Sequence, residues 1–180
     1  FTGDLGNSPS PILRDTDPIS NVDYLIMESV YGDRKHEGRE ERRIMLEHII
    51  QDNYKRRGVL IIPTFSLERS QELLYEMNLL SDNNRIPQMP VYFDSPLGIK
   101  LTEIYKKYPK YFNDAVQKAM KTDRNIFSFH GLRVTEDSDQ SKEILHIPNP
   151  KVIIAGSGMS NGGRIIHHEH NYLPDPNSTI

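Results

Sequence analysis

The stretch Gly156-Ser157-Gly158-Met159-Ser160-Asn161-Gly162-Gly163-Arg164 carries the first chemical signal. It follows the apolar run Val152-Ile153-Ile154-Ala155 and opens a helical pattern, so free backbone N–H groups and a helix dipole would favour an anion there. The spacing is neither the dinucleotide fingerprint nor the P-loop, because no Gly-Lys-Ser/Thr occurs. Two readings remain: a plain turn, or a cradle for a phosphate outside any nucleotide cofactor, such as one in a nucleic-acid backbone. Just downstream lies His167-His168-Glu169-His170. Neighbouring helical residues point about 100° apart, so His167 and His168 cannot both face one ion. His167 and His170, at i and i+3, could chelate weakly, but His-Glu-x-x-His is absent. The expectation is one histidine turned toward the strand ends and the others toward solvent.

The third segment is Glu28-Ser29-Val30-Tyr31-Gly32-Asp33-Arg34-Lys35-His36. Glu28 follows the apolar run Tyr24-Leu25-Ile26-Met27, and a carboxylate at the end of a buried strand needs a partner. An arginine salt bridge and a histidine are both open to it.

These residues need a scaffold. Beyond Tyr24–Met27, strand-like runs occur at 59–62, 91–93, 126–129 and 152–155. Helical patterns lie around Met45-Leu46-Ile49-Ile50, Leu73 to Leu80, Leu97 to Tyr105, Ala115 to Met120, Ser141 to Leu145 and Gly163 to Leu173, with Gly58 ending the first. Short continuous apolar runs alternating with helices predict an α/β fold, a mainly parallel sheet with helices on both faces. Ligands of such sheets bind outside the carboxyl ends of the strands. Reading just past each run places Glu28 and Ser29, Thr64, Asp94 and Ser95, His130, and Gly156 and Ser157 on one edge.

Composition narrows the classes. At 180 residues the chain can bury a core of its own. With no cysteine, a disulfide framework, a thiolate zinc site and a cysteine nucleophile are excluded, and a reducing, cytoplasmic setting is expected. No apolar run reaches the roughly 18 residues of a membrane span, so no membrane partner is expected. The net charge of −3 excludes a uniformly basic nucleic-acid sheath but not a local basic groove. Phe1 runs into Gly3-Asp4 like the end of a strand, and Ser178-Thr179-Ile180 reads like the start of one. The sequence is therefore expected to be a piece of a longer protein.

Five blocks then carry a resemblance: Phe1-Thr2-Gly3-Asp4-Leu5-Gly6; Glu28-Ser29-Val30-Tyr31-Gly32-Asp33-Arg34; Ile62-Pro63-Thr64-Phe65 with Arg69 and Gln71-Glu72-Leu73-Leu74-Tyr75; Phe93-Asp94-Ser95-Pro96-Leu97; and Gly156 to His168. In this order they resemble the β-CASP nucleases, metallo-β-lactamase-fold enzymes acting on nucleic acid, and most of all their RNA-processing branch. The resemblance implies that residues 1–20 are the end of a metallo-β-lactamase segment and linker, and 21–180 a β-CASP domain truncated before its last motif. It implies a zinc-dependent ribonuclease hydrolysing single-stranded RNA, with two zinc ions in the full-length parent, the lactamase domain of the same chain as partner, and a homodimer left open.

By the same resemblance Asp4 matches a zinc-bridging aspartate, Glu28 the first acidic motif, and His168 a histidine acting as general acid, with Glu28 beside it. His168 is chosen over His167 because the motif histidine is the second of its pair. Ser157 and Gly158 would hold a substrate phosphate, with Arg34, His36, Arg69, Arg133 and Arg164 as candidate strand-tracking cations. One metal ligand cannot assemble the centre, so the 180 residues alone are expected to be inactive. The family often has glycine where this chain has Glu68, and Glu68, Glu72 and Glu76 share one helical face. A DNA-directed nuclease and a non-catalytic α/β binding module are the alternative readings.

Overall fold

The computed structural model describes residues 1–6, 8–34, 41–122 and 125–180; His36 and Gly38 lie outside the described residues. Its centre is a four-stranded sheet of β1 (Val59–Pro63), β2 (Val91–Asp94), β3 (Leu132–Val134) and β4 (Lys151–Ala155). The spatial order is β1-β4-β2-β3 and every pairing is parallel. The last strand in sequence enters between the first two, pairing Ile62 with Ile154 on one side and Asp94 with Ala155 on the other.

Side-chain alternation splits these apolar runs between two cores, as the period of two requires. Leu60, Val91, Phe93, Val152 and Ile154 face a large cluster with Ile50, Leu74, Met77, Phe112, Val116 and Phe127. That side is covered by α1 (Arg42–Arg56), α2 (Arg69–Asp82), α3 (Pro96–Lys107) and α4 (Asp114–Ala119). Val59, Ile61, Tyr92, Ile153 and Ala155 face a smaller cluster with Ile144, Ile165 and Tyr172. Here α5 (Ser138–Glu143), its 3-10 extension Ile144–His146 and α6 (Arg164–Tyr172) form the cover. The expected parallel sheet with helices on both faces is the observed one. Beyond β1, Thr179 makes a parallel bridge to Leu60, its N–H donating to Val59 O at 2.9 Å.

Three expectations need correction. Tyr24–Met27 is no strand of this sheet: these side chains are exposed, and Ile26 O accepts from Thr2 N at 3.1 Å instead. An apolar run is extended and buried only where a neighbour covers it, and the described residues supply none. Ile126, Phe127 and Phe129 are buried but their run is turned, with Ser128 N donating to Asn125 O, and the strand follows Gly131 as Leu132–Val134. As an edge strand with Arg133 and Val134 exposed, it lacks the apolar signature used to find it. Consequently His130 precedes β3 and lies at the opposite end of the sheet from the strand-end edge. In the first helix Met45 and Ile49 face solvent, while Glu47 turns in to meet Arg85 at 2.9 Å.

Candidate functional site

The carboxyl ends of the four strands deliver Thr64, Asp94, Thr135 and Gly156 to one edge. Asp94 is fully buried and accepts from four side chains. On Oδ2 it takes His168 Nε2 at 2.6 Å and Ser141 Oγ at 2.5 Å. On Oδ1 it takes Arg164 Nη1 at 2.5 Å and the Thr135 hydroxyl. Burial alone would push this carboxyl upward; hydrogen bonds from His168, Ser141, Thr135 and Arg164 overcome that and hold it down at about 2. An ionised carboxylate has about four acceptor sites, and here all are filled.

His168 is itself fully buried, stacked on Tyr172 at 6.3 Å between ring centroids, and its Nδ1 meets no hydrogen-bond partner. His167 and His170 face outward, as the spacing of the three histidines led one to expect. The partner of His168, however, is Asp94 and not Glu28. Glu28 is exposed, and its Oε1 accepts from Leu5 N at 2.9 Å, which ties it to the residue beside Asp4. Sequence reasoning placed Asp94 on the edge without assigning it this role, and missed Thr135 and Ser141 altogether. The run of buried residues ending in an acid at 94 was the available signal.

In front of this cluster lies the glycine-rich loop. Ser157 N donates to Gly162 O at 3.2 Å and Ile165 N to Gly156 O at 3.0 Å, closing the loop on itself. Gly163 makes the closure possible: its φ is +75°, and a Cβ there would lie 2.6 Å from Gly156 O. Ser157 Oγ donates to Asn161 Oδ1 at 2.6 Å. Gly158 rests against Phe65, where a Cβ would come within 2.9 Å of the Phe65 nitrogen. Ser66 and Ser95 hydroxyls, 3.2 Å apart, lie beside Gly156. Ser95 also caps α3 by accepting from Gly98 N.

The candidate cations are more committed than expected. Arg164 spends its guanidinium on Asp94, Thr135 O and Glu136 O, so it braces the loop from behind and does not reach outward. Arg69 is half exposed and pairs with Glu72 at 2.7 Å; Arg34 pairs with Asp33, and Arg133 lies over the Tyr92 ring. Glu72 is pushed up by burial and drawn back by Arg69, while Glu76 pairs with Arg43, which neutralises much of the acidic helical face. Glu68 sits at φ 63° and ψ −64°, with Arg69 N donating to Leu67 O at 2.8 Å, a strained γ-turn of positive φ.

With this geometry in place, residues 70–180 match the Beta-Casp domain. The chain belongs to the β-CASP family. It is 38% identical over 181 residues to Ribonuclease TTHA0252 of Thermus thermophilus, covering 100% of this chain and 41% of that protein. It is 30% identical over 182 residues to Endoribonuclease ysh1 of Schizosaccharomyces pombe, covering 100% of this chain and 23% of that one. To Transcription termination factor FttA of Methanosarcina mazei it is 27% identical over 187 residues, covering 100% and 29% respectively. The chain thus spans less than half the length of each of these relatives.

The backbone at Glu68 adopts a conformation that favours glycine. The two-zinc centre implied by β-CASP resemblance does not fit the residues in hand. Among the described residues no three metal-ligating side chains converge. Asp4 lines an open cavity of about 190 Å³ with Ser8, Ser10, Arg14, Asp15 and Glu68. Histidine ligands are missing from it, and His168 is buried on Asp94. Among the described residues no helix is long and apolar enough to cross a membrane.

Proposed function

We propose that this chain is the β-CASP portion of a ribonuclease that hydrolyses phosphodiester bonds of single-stranded RNA. One observation carries the reading. The carboxyl edge of the sheet carries the part-exposed Ser66 and Ser157 hydroxyls and the glycine-rich backbone between Gly156 and Gly163, while Asp94 behind it is saturated by its own four donors. A polar edge whose nearest buried acid is fully satisfied suits a phosphate diester. Two of the relatives are a ribonuclease and an endoribonuclease, which supports the same class.

In this reading Ser157 and Gly158 hold the phosphate next to the scissile one, and Arg69, half exposed beside Glu72, is a candidate cation near the edge. Arg164 and His168 are positioning residues acting through Asp94. His168 is fully buried with its Nε2 on Asp94, which favours a positioning role for it over direct proton donation. Glu28 accepts from Leu5 N and so orients the segment carrying Asp4, which this reading assigns as a metal ligand of the parent's centre. Two zinc ions and a metallo-β-lactamase domain are assigned to the longer parent protein, and this segment alone is proposed to be inactive. The absence of cysteine suits a cytoplasmic setting.

The test is cleavage of matched RNA and DNA strands by the full-length protein. RNA cleavage that weakens steeply with salt, and a raised KM in Ser157→Ala, are expected. Preference for DNA, or no hydrolysis of either strand by the full-length protein, would overturn the reading.

A further inference from the structure

Phe65 is the first aromatic side chain beyond β1, and it is 52% exposed. Leu67, Leu97 and Met159 around it are exposed as well. Large apolar side chains scattered singly need no explanation, but these come from three segments that meet at one edge. Gly158 lies against the Phe65 ring, since a Cβ there would stand 2.8 Å from its Cδ2. The Ser66 and Ser95 hydroxyls bring the start of α3, and with it Leu97, to the same place. The backbone under the ring is pinned: Phe65 O accepts from Ser70 Oγ at 2.7 Å, and that buried hydroxyl also meets Thr64 Oγ1 at 2.9 Å. The result is an exposed aromatic face on a rigid support, touching a loop of glycine and hydroxyl groups.

We propose that Phe65 is a stacking platform for an unpaired base of single-stranded RNA, the phosphate of the same nucleotide resting on the Gly156–Gly158 loop. The proposal rests on the ribonuclease reading and deepens it by placing a base subsite. A base offers a flat π-face whatever its identity, so a lone phenylalanine gives affinity with little sequence selectivity. Contact between ring and loop puts base and phosphate within one nucleotide of each other. A paired strand has no free face to present, which makes the subsite selective for single strands.

The experiment measures the affinity of the full-length protein for a fluorescent single-stranded RNA, by anisotropy. A set of strands with one abasic nucleotide moved along the sequence is measured beside it. Phe65→Ala is expected to weaken binding roughly 5- to 100-fold. Phe65→Tyr should restore it, and Phe65→Leu, which keeps an apolar contact with Gly158, should not. One abasic position should reproduce the loss and add nothing further to Phe65→Ala. Unchanged affinity in Phe65→Ala overturns the proposal and leaves the ribonuclease reading standing. Rescue by Phe65→Leu overturns it in favour of plain packing or a protein partner on that face. Failure of the wild-type protein to bind any RNA overturns both.

Discussion

Asp94 and His168, 74 residues apart in sequence, meet through Nε2 and Oδ2 at 2.6 Å with both side chains withdrawn from solvent. This contact ties the end of β2 to the middle of α6. With Arg164 added, it holds the loop between β4 and α6 in one position. Buried charge without partners is costly, so the four donors around Asp94 must be present together or the arrangement fails.

Acid should therefore loosen this joint. The folded-state carboxyl of Asp94 lies at about 2, below its ordinary value of 3.8. Its contribution is complete above the ordinary value and is lost as pH falls toward 2, amounting to about 2 kcal/mol. Urea midpoints measured from pH 7 down to 2.5 should fall over the lower part of that range. Asp94→Asn should show a shallower fall than the wild type. Asp94→Ala, which strands Arg164, should cost about 3–5 kcal/mol at pH 7. A wild-type acid slope that survives in Asp94→Asn contradicts the assignment.

Lys151 predicts the opposite limb. Its ammonium is buried, donating to Ile144 O at 2.9 Å and Ile147 O at 2.7 Å, and burial lowers it from 10.5 to about 8. The folded state thus binds fewer protons than the unfolded one between those values. Stability should rise as pH increases from about 8 to 10.5, by up to about 3 kcal/mol. The comparison with Lys151→Met isolates the effect, because the variant should lack this rise in its urea midpoint. Equal slopes in the two proteins rule it out.

Glu68→Gly should stabilise the protein. A side chain at φ 63° and ψ −64° is strained, and a positive-φ γ-turn of this kind costs about 1–3 kcal/mol. Part of the gain is offset by the greater freedom of glycine in the unfolded chain. A net increase of about 1 kcal/mol in a denaturant titration is the expected result; a decrease shows that the Glu68 side chain contributes more than its turn costs.

Gly163→Ala tests the loop from the other side. Alanine there is strained at φ +75° and places its Cβ against Gly156 O. A loss of about 1–3 kcal/mol is expected, together with a higher KM for RNA in the full-length protein. Unchanged stability and KM show that the loop tolerates opening at this point.

Much of this architecture was legible in the sequence. The β-branched runs at 59–62 and 152–155, the stripe Leu74-Met77-Leu80 and the alternation of strands with helices determine a parallel sheet covered on both faces. Local periodicity records which side of an element is apolar, and that is short-range information. The glycine-rich loop after β4, and one inward histidine in the cluster behind it, were legible for the same reason; that this histidine is His168 followed from the family resemblance. Tertiary structure decided the partners. Arg164 turns inward because Asp94, 70 residues away, is buried beside it; Glu28 bonds Leu5, while His168 is taken by Asp94. The third strand escaped because an edge strand needs no apolar run, and Tyr24–Met27 was misread because burial belongs to neighbours and not to a side chain alone. Charge pairing and coverage are properties of the assembled chain, and spacing along the sequence does not contain them.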